Sequence, residues 1–249
     1  MRILCAVKRV PITGGKMVLT DDAQAIQTRH LGFTISPHEE CGVEEAVRIV
    51  EGQGGEVVVL ALGPAEAEEQ LRECMALGAD RAIHLVSEEE WDAQATAGAI
   101  VDAIRAEEPF DLIVFGNESA DAANYQVGIR VAYALGLPVV TGLKGLMVAA
   151  GRARCEQEVA AGRDIYEVPL PAVVTVKEGL NLPRYPSVPA KLRANRKPVD
   201  AKPVDPPAAR LEKLRLVVPA GQGKQAEVLG HGPEAAPAIV EVMQKLGVA

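Results

Sequence analysis

Gly116-Asn117-Glu118-Ser119-Ala120-Asp121 follows the apolar run Asp111-Leu-Ile-Val-Phe115 and precedes a helical pattern from about Asn124 to Leu135. A glycine after a buried strand, a polar loop and then a helix start is how α/β folds cradle an anion. Backbone N–H groups and the positive end of the helix dipole converge on it. The donors here fall near Gln126, Val127 and Gly128. An ordinary polar loop between strand and helix has the same local pattern, so both readings stay open on these residues alone. In an open sheet the ligand sits beyond the strand carboxyl ends, where strand order reverses. If this strand neighbours the first one, the crevice lies between Ala6–Arg9 and Gly116–Asp121.

Other candidate chemistry fails on spacing. Gly221-Gln222-Gly223-Lys224 has a P-loop flavour, but Gln225 stands where Ser or Thr must bind magnesium. Gly52-Gln53-Gly54-Gly55 follows a helix pattern rather than a strand, which makes it a turn. His30, His38, His84 and His231 fall on different elements and suggest no metal site. No G-x-S-x-G elbow is present, and the pairs Glu39-Glu40 and Glu44-Glu45 read as a solvated helix face. The residues therefore offer no catalytic constellation, and the expectation is a protein that is not itself an enzyme.

The elements that position the loop alternate. A first strand at Arg2–Lys8 is followed, after a long connection, by the helix start Ser36-Pro37-His38-Glu39, where Ser36 caps, Pro37 fits the first position and Glu39 completes a capping box. Strands are expected at Glu56–Leu62, Arg81–Leu85 and Asp111–Phe115, with a helix opening at the Ser87–Glu90 capping-box pattern and reaching about Glu107. This repetition predicts an α/β fold with a doubly wound, mostly parallel sheet. Val139–Val148, Ala153–Val159 and Ile165–Val176 read as an added strand meander. Lys197–Pro207 reads as a stiff, extended Pro-rich linker, and Glu234–Leu246 as the helix of a C-terminal arm whose apolar face (Ile239, Val242, Met243, Leu246) needs a cover.

Composition sets the class. Of 249 residues, 48% are hydrophobic and only 3% aromatic, which suits a Val, Leu, Ile and Ala core between helices and a parallel sheet. The net charge of −8 leaves no basic face for a nucleic-acid backbone. Cys5, Cys41, Cys74 and Cys155 are far apart, as expected of reduced thiols in a cytoplasmic protein, and no stretch is long and apolar enough for membrane insertion.

Several motifs occur in one order along the chain. They are Cys5-Ala-Val-Lys-Arg-Val10, Ser36-Pro37 with Val43-Glu-Glu-Ala-Val-Arg48, Leu62-Gly-Pro64, and Met75-Ala-Leu-Gly-Ala-Asp-Arg81. Gly162-Arg-Asp164 with Leu170-Pro-Ala-Val-Val-Thr175, and Asn181-Leu-Pro-Arg-Tyr-Pro-Ser-Val-Pro189, follow. Together they resemble the beta subunit of electron-transfer flavoproteins over most of residues 1–197.

The resemblance implies an adenine-nucleotide-binding fold over residues 1–197 and a 198–249 segment, linker plus arm, that packs on an alpha subunit. It implies FAD held mainly by that partner, electrons passing from dehydrogenases to a downstream quinone-linked acceptor, and a structural AMP in this chain. Carried over by position, the AMP contacts are Ala6, Ser36, Pro37, His38, Glu39 and Leu62. The loop adds Gly116, Asn117, Glu118, Ser119, Ala120, Asp121, Ala122, Ala123, Asn124, Tyr125, Gln126 and Val127. Family members often have lysine, glutamine and aspartate where this chain has Asn117, Glu118 and Ala123. Electron-bifurcating relatives hold a second FAD in this place, which remains the alternative to AMP. Thr13 and His38 stand where some members place aromatics facing the flavin. The 179–189 segment corresponds to the docking loop for dehydrogenases, with Val188 as anchor before Pro189 and with Arg184, Tyr185, Lys191 and Arg193 beside it. Arg196 and Lys197 extend that basic run and are expected to steer acidic partners. The competing readings are a stand-alone nucleotide-binding module of the stress-protein type, which would show a Ser-Gly-Gly-rich loop where this chain has Lys8-Arg9-Val10-Pro11, and a free enzyme.

Overall fold

The fold is that of a computed structural model describing residues 1–14, 17–208, 210–218 and 227–248. The P-loop-like Gly221–Gln225 lies outside the described residues. The first half alternates as expected: β1 (Arg2–Val7), the short pair β2 (Val10–Pro11) and β3 (Phe33–Thr34), α1 (Pro37–Gln53), β4 (Glu56–Gly63), α2 (Glu68–Leu77), β5 (Arg81–Val86), α3 (Ala93–Arg105), β6 (Leu112–Gly116) and α4 (Val127–Leu135). Then come β7 (Val139–Ala149), β8 (Arg152–Val159), β9 (Gly162–Pro169), β10 (Ala172–Val176), α5 (Val188–Ala194), β11 (Val199–Pro203) and α6 (Ala236–Lys245). No helix among the described residues is long and apolar enough to cross a membrane.

The nine-stranded sheet runs β11-β5-β4-β1-β6-β10-β7-β8-β9. Strand side chains alternate between faces. Ile3, Cys5 and Val7 of β1 therefore pack with α1 and α2, while Leu4 and Ala6 pack with α3 and α4. Covering both faces in this way requires the unbroken apolar strands seen in the sequence. Winding goes from β1 outward through β4 to β5, then crosses back to β6 on the other side of β1. The expected neighbourhood holds, with Ile3 opposite Leu112 and Ala6 opposite Phe115. The topological switch point falls between β1 and β6.

Four elements differ from expectation, each for a local reason. The helix expected to open at Ser87–Glu90 begins at Ala93, because Asp92 is its cap, accepting from Ala95 N at 2.7 Å. Ser87 is still bound to the sheet, its amide donating to Gly63 O at 2.9 Å. The helix expected from Asn124 starts at Val127, since Ala123 and Tyr125 take positive φ values of 45° and 56°. The run Ile165–Val176 divides: β9 is the outer antiparallel strand, while β10 returns to the parallel core between β6 and β7. Within the expected linker, Val199–Pro203 is a strand pairing with β5, and Val204 N continues that ladder to Val86 O at 3.0 Å.

Lys197 is also not a free steering charge. Its ammonium donates to Met75 O at 3.0 Å and Ala79 O at 2.6 Å, where carbonyls at the end of α2 lack helical partners. Arg72 meanwhile donates to Ala194 O and Lys197 O. These bonds fix α5 and the start of β11 to α2. The apolar face of α6 is left solvent-exposed.

β11 covers the edge of a strand whose Ala82, Ile83 and Leu85 are buried. An uncovered apolar edge strand is a template for association. Truncation after Lys197 should therefore lower the melting temperature by roughly 5 °C or more and produce aggregates in size-exclusion chromatography. Truncation after Ala208 should leave the melting temperature within about 2 °C of the full chain.

Candidate functional site

A cavity of about 300 Å³ opens at the carboxyl ends of β4, β1 and β6, at the switch point. This is the lower end of the size range for small-molecule sites. Its β4 side carries the apolar Leu60, Leu62 and Pro64 with Ile100 of α3, bordered by Glu88, Glu89 and Glu90 after β5. Its β6 side is polar, made by Asn117, Glu118, Ser119 and Asp121 and by the first turn of α4. A second cavity, about 690 Å³, lies between α3 and the chain leaving β11. It is away from the switch point, and the α3 N-terminus beside it is already capped by Asp92.

The wall is built from α1 and β1. The expected capping box forms at the α1 start, and Glu39 Oε2 accepts from Ser36 N and from Lys8 N, each at 3.1 Å. Ser36 Oγ also accepts the Ala120 amide at 2.9 Å, which ties the β6–α4 loop to the same helix turn. A Cβ on Gly116 would come within 2.7 Å of Glu39 Cγ, so only glycine fits there. A Cβ on Gly128 would crowd Phe115 and Thr175 at 3.0–3.1 Å, so that residue sets how closely α4 meets the sheet. Asn117 Oδ1 accepts from Thr175 Oγ1 at 2.9 Å, and the same hydroxyl accepts Gly142 N at 2.9 Å.

Charge at the site is arranged in pairs. Lys8 Nζ lies 2.6 Å from Asp121 Oδ2, and although burial opposes it, the Lys8 ammonium helps hold the Asp121 carboxyl below its ordinary range. Burial pushes Glu39 up to about 8, against the amides of Lys8 and Ser36. Arg9 stacks its guanidinium 3.4 Å from the Phe33 ring centroid. Its buried Nε has no hydrogen-bond partner. The α4 N-terminus has no side-chain cap, unlike those of α3 and α5. A buried unmatched donor and an uncapped helix start beside one cavity fit an anionic group.

Most of the expected contacts line this cavity: Ala6, Glu39, Leu62, Gly116, Asn117, Glu118, Ser119, Asp121, Asn124, Tyr125, Gln126 and Val127. Ser36, Pro37, His38, Ala120, Ala122 and Ala123 are not on its wall, although Ser36 and Ala120 brace it. Of the other wall residues, Thr175 and the segment Glu88–Trp91 were not expected, whereas Lys8 and Arg9 fall within the expected crevice Ala6–Arg9 and Gly128 among the expected backbone donors, without having been carried over as contacts. Lys8 and Arg9 follow the strand that borders the switch point, which was a usable signal. The placement of Glu88–Trp91 hangs on where α3 begins, which the misplaced capping box hid.

The electron transfer flavoprotein domain matches residues 25–207. Electron transfer flavoprotein subunit beta of Syntrophomonas wolfei is 34% identical over 220 residues, covering 88% of this chain and 86% of the relative. The Bacillus subtilis subunit beta is 31% identical over 82% of this chain and 80% of its own length. That of Bradyrhizobium diazoefficiens is 34% identical over 89% and 91%. The chain belongs to the electron transfer flavoprotein beta-subunit family.

In this family member the 179–189 segment leaves β10 as a loop, and Ser187 caps α5 by accepting from Ala190 N at 3.3 Å. Leu182, Tyr185, Val188 and Leu192 are all exposed. Lys191 and Arg193 are solvent-facing on α5. Arg184 is different: its guanidinium is held by Glu44, at 2.9 Å, and Glu51, at 2.6 Å. The Glu44 side of that pair is buried, so the expected solvated pair Glu44-Glu45 is in part a tether for the loop.

Two outcomes follow from these partners. Arg184→Ala leaves the buried Glu44 carboxylate unpaired and should lower stability by about 1–3 kcal/mol in chemical denaturation. For Glu39, the folded chain holds a proton that the unfolded chain releases above the ordinary glutamate range. Stability contributed by the neutral group is thus complete at low pH and is lost as pH rises toward about 8. Glu39→Gln keeps an acceptor for both amides and should remove that loss. Melting curves of variant and parent should lie close together near about pH 5 and separate in the variant's favour by about pH 8; parallel curves would exclude Glu39 as the titrating group.

Proposed function

We propose that this chain binds an alpha subunit that holds most of an FAD, and that its own switch-point cavity holds an adenine mononucleotide, AMP, in a structural role. In this reading electrons pass from dehydrogenases through the heterodimer to a quinone-linked acceptor in the cytoplasm, where the four free cysteines stay reduced. The observation that carries the nucleotide is the placing of Arg9 and the uncapped α4 start on the wall of one cavity whose other end carries Leu60, Leu62 and Pro64. The end with these apolar side chains receives a base, and the α4 end receives a phosphate. Bound FAD supplies the redox chemistry. The residues of this chain bind, orient and shield. His38, beside the site, has a buried Nδ1 without a partner, and burial lowers its pKa, favouring the neutral ring.

A second FAD remains the alternative ligand, but about 300 Å³ favours a mononucleotide. The exposed apolar row Leu182, Tyr185, Val188 and Leu192 supports the 179–189 segment as the dehydrogenase docking surface, with Val188 as anchor. The bare face of α6 supports packing of the C-terminal arm on the alpha subunit.

The chain produced alone should be colourless and prone to associate. With its alpha subunit it should absorb near 450 nm, a property of the flavin ring. Chromatography of the heat-released supernatant should give AMP in a one-to-one ratio with this chain. An extra equivalent of FAD instead of AMP would assign the second reading, and no adenine nucleotide at all would defeat both. Val188→Ala should slow reduction by a cognate dehydrogenase several-fold, with flavin content and melting temperature unchanged.

A further inference from the structure

Trp91 is the one tryptophan of the chain. It is also the one residue, among those described, shared by the walls of the 300 Å³ switch-point cavity and the 690 Å³ cavity along α3. The two sides of α3 face different spaces: Thr96 and Ile100 line the first, Ala95 and Ala99 the second. Its N-terminus is where the two spaces adjoin, and the indole stands there.

The indole is held by a hydrogen bond and by its place before a capped helix start. Its Nε1 donates to Ser87 Oγ at 3.0 Å, and Ser87 is itself buried and bound to Gly63 O at 2.9 Å. The following residue, Asp92, is locked as the α3 cap. An aromatic plate held by its neighbours loses little freedom when another ring lies on it.

Strand order sets which part of a ligand it meets. Trp91 follows β5, and the sequence of strands across the site is β5-β4-β1-β6. The phosphate-accepting loop follows β6, so Trp91 stands at the opposite end, beside Leu62 and Pro64. We propose that Trp91 is the specificity-determining wall for the base: it stacks on or abuts the purine and closes the cavity against larger base substituents. This rests on the adenine-nucleotide reading above. Without the indole, the two cavities become continuous behind the base.

The heterodimer, denatured to release nucleotide, is refolded with equal concentrations of AMP and N6-benzyl-AMP, and the bound ratio is read by chromatography. The parent should favour AMP by roughly tenfold or more, Trp91→Phe should keep most of that preference, and Trp91→Ala should reduce it at least tenfold. Ser87→Ala, which frees the indole, should fall between. Emission that is quenched by AMP in the parent and absent from the Trp91→Phe difference spectrum supports the same contact without requiring Trp91→Ala to fold. AMP binding with unchanged selectivity in both Trp91→Ala and Ser87→Ala, or with no change in Trp91 emission, overturns the inference alone. Failure of the parent to take up either nucleotide overturns the nucleotide reading and this inference with it.

Discussion

The site depends on how closely the first turn of α1 approaches the end of β6. The gap at Gly116 is filled by the Glu39 side chain, and Glu39 then bonds the backbone of both Lys8 and Ser36. One carboxyl thereby joins β1, the α1 start and the β6 terminus. Ser36 adds the β6–α4 loop through Ala120 N, and Asn117 N reaches Val176 O of β10 at 2.9 Å. Three strand ends and a helix start are cross-linked by polar contacts that would be costly to leave unmade in a buried setting. A rigid frame of this kind lets an irregular loop keep residues such as Ala123 and Tyr125 at positive φ.

That frame also resolves the charge of the cavity. Six carboxyls line it, from Glu39, Glu88, Glu89, Glu90, Glu118 and Asp121, against the cations Lys8 and Arg9. Counted as free charges, they would repel a phosphate. Glu39 is pushed by burial toward its neutral form at physiological pH, Asp121 is paired with Lys8, and Glu90 is paired with Lys213. Glu118 engages Tyr125, and that contact raises the phenol pKa. The carboxyls left without a cation include Glu88 and Glu89, which follow β5, at the end of the cavity away from the β6–α4 loop. The α4 start and Arg9 therefore meet less negative charge than the composition of the wall suggests.

The fold was legible where the code is local and repeated. Continuous apolar runs named the parallel strands, and Ser36-Pro37-His38-Glu39 named the α1 start. The same capping rule misled at Ser87, because a serine still hydrogen-bonded to the sheet cannot begin a helix. Pro203 and Pro207 made 197–207 read as a linker, yet Val199–Pro203 lies at the edge of the sheet, where proline is tolerated. In the site, the loop itself was visible, and Lys8 and Arg9 only as the far lip of a crevice that depended on which strand lies beside β6. Trp91, from the far side of the switch point, was not. Their meeting is a property of strand order, which no local pattern records. Glu44, read as part of a solvated face, was misjudged for a related reason: its partner Arg184 is 140 residues away.

The proposed docking segment inherits its position from the same frame. β10 lies beside β6 with Val176 opposite Gly116, so the chain that leaves β10 starts at the edge where the β6–α4 loop begins. From there Asn181 donates to Cys41 O at 3.0 Å and to Glu45 at 2.9 Å, and Arg184 grips Glu44. The segment is thus strapped along α1, the helix whose first turn carries Glu39. The intervening apolar residues Leu182 and Tyr185 are left pointing to solvent, at 90% and 95% exposure. Holding the backbone while freeing those side chains reduces the ordering cost of meeting a partner. It also means that the proposed docking surface and the switch-point cavity share one helix as their common support, so distortion of the α1 start would disturb both.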